Sequence, residues 1–266
     1  MIEASCERFG LSSASEALNR LCDSERMKRL SRAYAIADTI EECGECHEGK
    51  VVVMLCDETE YNIPCPLLNL RCEYGQRLRN RLDAHALSWV KSLPGVPTRF
   101  HEQLGQPKPT AAIRGVNMWN HDRQCFLLLH GEHGTGKSFA AAYALYVIAR
   151  SKLLSKWRYP SSWGGLLNAM WVSAYRVTTK DELYETARGV PILVIDDLGS
   201  EENTSRAKSR LTEIVAERYN HRRSTVLTTN ADSLELEKIY GDRMADRVIG
   251  AGYTVHCGGE SLRLAG

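Results

Sequence analysis

Gly131-Glu132-His133-Gly134-Thr135-Gly136-Lys137-Ser138 sets three glycines, a lysine and two hydroxyls within eight residues. The glycines let backbone N–H groups converge on the oxygens of an anion without a Cβ in the way. The lysine adds a point charge and the serine an oxygen ligand for a divalent cation. The spacing is G-x-x-x-x-G-K-[ST], so the anion it fits is a nucleotide phosphate chain. Lys137 is expected to reach the β- and γ-phosphates and Ser138 to ligate Mg²⁺, with ATP as the nucleotide. His133, inside the loop, reads as a spacer.

A second group of residues extends that chemistry. Ile192-Leu193-Val194-Ile195 runs into Asp196-Asp197, which places two carboxylates at the end of an apolar strand. Asp196 is expected to hold Mg²⁺ through water, and Asp197 to orient or deprotonate an attacking water. A third run, Val226-Leu227-Thr228-Thr229-Asn230, ends in an amide suited to the γ-phosphate and its water.

Positioning such groups takes strands that alternate with helices. Phe126–His130 reads as a short buried strand, followed by a helix over Ser138–Arg150. Further strands are expected at Met170–Ala174, Ile192–Ile195, Thr225–Thr229 and Tyr253–Cys257, with a long amphipathic helix over Ser205–Arg222. This pattern predicts an α/β fold with a parallel five-stranded sheet covered on both faces. Ahead of it, Pro94, Gly95, Pro97, Gly105, Pro107 and Pro109 interrupt regular structure. They mark a linker over 94–110, between a front domain at 1–93 and an ATPase domain at 111–266.

The front has a different character. Residues 1–40 read as helical, with Leu18, Leu21, Cys22, Met27 and Leu30 at helical spacing, and Gln76–Leu93 returns to that pattern. Between them, Cys43-x2-Cys46 and Cys65-x6-Cys72 flank a β-like run, Lys50–Cys56. Four thiolates there could bind Zn²⁺ tetrahedrally, with Cys56 or His47 as an alternative to one of them. So small a unit would rely on the metal for its folding. Residues 1–76 sum to a charge of −6 and the remainder to +7, from a whole-chain charge of +1. An acidic front suits a protein partner, and a basic body suits nucleic acid.

The composition, 43% hydrophobic and 25% charged over 266 residues, excludes a disordered tail, a collagen and a coiled coil. The longest apolar run, Phe139–Ala149, is too short to span a bilayer. Without a secretory pattern at Met1–Gly10, the expected location is the cytoplasm.

Taken together, these motifs resemble the AAA+ ATPases, and within them the DnaC/IstB family of helicase loaders and transposon ATPases. Val96-Pro97-Thr98-Arg99-Phe100, Ile195-Asp196-Asp197-Leu198-Gly199, Leu211–Asn220 and Gly241–Val248 are similar to that family's segments, as is Gly259-Glu260-Ser261-Leu262-Arg263-Leu264. The resemblance implies ATP-dependent self-association, with an arginine from one subunit completing its neighbour's site. Arg247 aligns best with that role and Arg243 second; Arg263 is a further candidate for nucleotide contact. It also implies partners, a replicative helicase and single-stranded DNA, with a transposase and duplex DNA as the alternative. The front looks like a zinc-binding helicase-interaction domain. A full C-terminal helical lid is not expected, and the helical insertion after the second strand is short. Lys156, Trp157, Arg158, Tyr159 and Trp163 interleave charge and aromatic rings in a way that could track a nucleic-acid strand.

Overall fold

The computed structural model describes residues 2–3, 32–33, 50–54, 60–64, 73–119, 123–155 and 167–259. They fall in two compact units, Met1–Arg81 and Leu82–Gly266.

In the first unit, β1 (Ile2–Glu3), β2 (Lys50–Met54) and β3 (Glu60–Pro64) form a three-stranded sheet in that order. β2 is the β-like run expected between the cysteine pairs, and it pairs antiparallel with β3, Lys50 opposite Pro64. The helical reading of residues 1–40 fails at its start. Ile2 and Glu3 pair in parallel with Val53 and Met54, because the apolar β2 presents an edge whose backbone groups need partners. Cys43, Cys46, Cys56, Cys65, Cys72 and His47, and with them the zinc expectation, lie outside the described residues.

Helix α1 (Glu73–Ser92) crosses the boundary between the units. In the second unit it buries Leu82, Ala86 and Val90, one face at four-residue spacing. Asp83 accepts a 2.6 Å hydrogen bond from Arg150 Nε. The 94–110 segment departs from its expected role as a linker. It packs into the second unit through Val96, Phe100 and Leu104, all buried, with a 3₁₀ turn at Thr98–Phe100. Their four-residue spacing gives the segment an apolar face that outweighs its prolines. Helix α2 (Ala111–Met118) follows, capped by the Thr110 side chain, which accepts from Ile113 N.

The rest is a layered α/β body: β4 (Phe126–His130), α3 (Lys137–Ser155), β5 (Ala169–Ser173), α4 (Ala174–Thr179), α5 (Asp181–Gly189), β6 (Ile192–Leu198), α6 (Ser205–Asn220), β7 (Ser224–Thr229), α7 (Ser233–Tyr240), α8 (Asp242–Ala245), a π-helical turn at Asp246–Gly250, and β8 (Tyr253–His256). Five strands lie in the order β5-β6-β7-β4-β8, and every pairing is parallel. β4 and β6 are continuous apolar runs because helices cover both faces of the sheet. α3 is apolar around most of its circumference and is buried accordingly, from Ala140 to Leu153.

One buried cation ties this body together. Arg218 on α6 is fully buried, and all five of its N–H donors are engaged. Nε donates to Thr225 Oγ1 (2.7 Å), and the terminal nitrogens donate to the carbonyls of Ala187, Val190, Pro191 and Ser224 (2.6–3.4 Å). Burial pushes the guanidinium down to about 9, so it remains charged at neutral pH. It joins the end of α5, the entry to β6, α6 and β7.

Candidate functional site

In this strand order β4, β7 and β6 are neighbours, so the segments that leave their carboxyl ends converge. These segments are the Gly131–Ser138 loop, Asn230 and the Asp196-Asp197 pair. Gly131, Gly134 and Gly136 all have positive φ, at +136°, +83° and +89°. A Cβ on Gly131 would lie 2.4 Å from the Cys257 carbonyl oxygen, so this position admits no side chain. Lys137 Nζ donates to the carbonyls of Gly131 (2.7 Å) and Glu132 (2.5 Å), and Thr135 Oγ1 donates to Glu132 O (2.8 Å). The loop is thereby held open around its own N–H groups, at the amino end of α3. His130, at the foot of the loop, is held below the usual imidazole range by burial and then by the neighbouring His256.

Opposite the loop the carboxylates are held by a chain of hydrogen bonds. Ser138 Oγ donates to Asp196 Oδ1 at 2.9 Å, and Thr228 Oγ1 donates to the same oxygen at 2.7 Å. The Asp197 N–H donates to Thr228 Oγ1 at 2.8 Å. Asn230 Nδ2 reaches Asp197 Oδ1 at 3.4 Å. Asp197 itself has φ +62°, within a shift in the β6–β7 register between Ile195 and Leu198. That irregularity turns Asp197 out of the pleat, and aspartate tolerates the left-handed region better than most residues. Thr229 Oγ1 fastens the far side by donating to Leu198 O at 2.8 Å.

These groups face a pocket of about 830 Å³. Its walls include His133, Gly134, Gly136, Lys137, Ser138, Asp196, Asp197 and Asn230 from the expected site; Gly131, Glu132 and Thr135 shape the loop without lining the pocket. Sequence reasoning missed two contributions. Thr228 links both aspartates, but a threonine within a strand reads only as a β-former. Arg99, Phe100, Gln103, Lys108 and Thr110 form a wall from the supposed linker. The signal there is the family-like segment Val96-Pro97-Thr98-Arg99-Phe100; in the structure its Phe100 meets Phe139 edge-on at 5.5 Å and carries Arg99 over its ring.

The arginines expected to act on phosphate do not line this pocket. Arg247 lies on the π-helical turn, half-buried, and Arg243 is exposed on α8. Arg263 and the basic–aromatic segment from Lys156 to Trp163 lie outside the described residues. Among the described residues no three His, Cys, Asp or Glu side chains gather as a metal site, and no helix is long and apolar enough to cross a membrane.

A phosphate-binding loop beside a paired-aspartate strand, on a parallel sheet of this order, defines a P-loop nucleotide-binding protein of the AAA+ type. The chain belongs to the IstB-like ATP binding protein family, whose profile matches residues 71–266. It is 27% identical over 122 residues to the replicative helicase loader DnaC of Escherichia coli, covering 46% of this chain and 49% of that protein. It is 29% identical over 143 residues to the insertion sequence ATP-binding protein y4pL of Sinorhizobium fredii, covering 52% and 56%. The chain thus spans about half the length of the curated relatives it matches. The crystal structure of the DnaC helicase loader aligns over 61% of this chain and 100% of that one, at 21% identity and a TM-score of 0.43.

Proposed function

We propose that this chain is an ATP-hydrolysing DNA replication factor that loads a replicative helicase onto single-stranded DNA. The observation that carries the ATPase reading is the hydrogen-bonded set Ser138–Asp196–Thr228–Asp197 facing the phosphate loop across one pocket. A hydroxyl and a carboxylate oxygen 2.9 Å apart form the hard-oxygen donor set that Mg²⁺ prefers. When bound, Mg²⁺ supplies charge neutralisation at the phosphates. Lys137 exchanges its loop carbonyls for phosphate oxygens, and the loop amides orient the chain. Asp197, aimed by its backbone and steadied by Asn230, orients the attacking water and draws its proton. Arg247, which does not line its own pocket, acts in the site of a neighbouring copy once subunits assemble.

The helicase and DNA assignments draw on the likeness to DnaC, on the acidic front and on the basic body. In this reading residues 1–93 meet the helicase, with Cys43, Cys46, Cys65 and Cys72 holding one Zn²⁺, and the ATPase body meets DNA in the cytoplasm. The likeness to y4pL favours a second reading, an ATPase that acts with a transposase on duplex DNA.

One experiment separates them. The full chain is titrated with single-stranded and duplex oligonucleotides, with and without ATP, over a salt series, and then passed over immobilised replicative helicase from its own host. The loader reading expects ATP-tightened binding to single strands that weakens steeply with salt, as counterion release requires, together with helicase retention. Preference for duplex with no helicase retention overturns it in favour of the transposition reading.

A further inference from the structure

We propose that Tyr219 is a positioning residue for Arg247, holding its guanidinium ready for the nucleotide of a neighbouring copy; this rests on the trans-acting role given to Arg247 above. The Arg247 guanidinium carbon lies 5.8 Å from the centre of the Tyr219 ring, within the range of a cation–π contact. Tyr219 sits in the last turn of α6 and is 39% exposed, so core packing does not account for its ring.

What distinguishes this contact is the kind of partner. Among the described residues Arg247 has no carboxylate within ion-pair distance. A carboxylate would neutralise the guanidinium, and an incoming phosphate would have to displace it. A ring face confines the side chain and leaves its charge and its N–H edge available for a phosphate. Arginine loses rotamer freedom when it docks, and a ring that already confines it reduces that loss at the moment of reaction.

The frame around the pair is firm. Met244 and Val248 on either side of Arg247 are buried, and Thr212 Oγ1 on α6 contacts Met244 Sδ at 3.7 Å. The arginine-bearing turn is therefore fastened to the helix that carries Tyr219. That turn is π-helical, a rare form that concentrates at functional sites. Arg243 is exposed and has no ring beneath it among the described residues, so the same geometry chooses between the two candidate arginines.

The test is steady-state ATP turnover by the full-length chain at assembling concentrations, with kcat and KM separated. Tyr219→Ala and Tyr219→Leu should each lower kcat about two- to fivefold with KM for ATP unchanged, the size expected of an exposed cation–π contact. Tyr219→Phe should restore most of that loss, because the ring face is kept. Tyr219→Ala combined with Arg247→Ala should be no slower than Arg247→Ala alone. Tyr219→Leu retains apolar bulk, and matched melting curves separate loss of positioning from loss of folding. Equal losses in Tyr219→Phe and Tyr219→Ala, or additive losses in the double variant, overturn the proposal. A slow Arg247→Ala beside an unaffected Tyr219→Ala overturns this proposal alone. An Arg247→Ala chain as fast as wild type overturns the parent reading and this one with it.

Discussion

Lys137→Ala should abolish measurable ATP binding, with affinity falling about a hundredfold or more. The ammonium is the cation of the phosphate loop, and Lys137 already lines the pocket, donating to Gly131 O and Glu132 O. A hydrogen bond from a charged donor contributes about 1.5–3 kcal/mol, and Lys137 would make more than one to the β- and γ-phosphates. The loop keeps its shape without the lysine, because the Gly131 turn is enforced by the approach to Cys257, and Thr135 still anchors Glu132. Calorimetric titration with ATP, alongside a melting curve, measures this. Wild-type affinity in a folded Lys137→Ala chain would remove the phosphate-loop assignment.

The second large effect concerns stability and lies outside the pocket. Arg218→Ala should cost about 3–5 kcal/mol, because it takes the donor from the buried carbonyls of Ala187 and Val190, the part-buried carbonyls of Pro191 and Ser224, and the Thr225 hydroxyl. For a domain of this size that lowers the melting temperature by about 10 °C. Arg218→Lys should recover only part of the loss, since a single ammonium cannot reach acceptors spread from Ala187 to Thr225. Urea unfolding with tyrosine or tryptophan fluorescence reads it directly. A change under about 1 kcal/mol for Arg218→Ala would mean that the arginine is not the bolt described above.

The contrast between these two residues shows what could be read in the chain. Lys137 is legible because everything that defines its role lies within eight residues, and β4 matches its expected bounds because the loop punctuates it. β6 runs past its expected end at Ile195 to Leu198, since the aspartates break the apolar pattern while the backbone remains paired through an irregular register. Arg218 reads as an ordinary charge on an amphipathic helix. Its burial depends on carbonyls at Ala187–Pro191, some thirty residues upstream, which local periodicity does not contain. The 94–110 segment reads as a linker for the opposite reason. Its prolines and glycines are a local signal for a linker, whereas its apolar face at Val96, Phe100 and Leu104 has meaning only against the body that covers it. The pocket wall formed by Arg99, Gln103 and Lys108 depends on that same packing. The role of Thr228 is not legible in the sequence, because its hydroxyl matters only once β6 and β7 are adjacent.

ATP turnover by Asp197→Asn, with ATP affinity measured on the same preparation, tests the central claim most directly. Asparagine keeps the size of the side chain and tolerates the left-handed backbone at φ +62°. It also leaves the Asp197 N–H on Thr228 intact, so only the charge that acts on water is removed. The account predicts ATP affinity within about twofold of wild type and turnover reduced by about a hundredfold, the range of a lost general base. Turnover at the wild-type rate with affinity intact would contradict it.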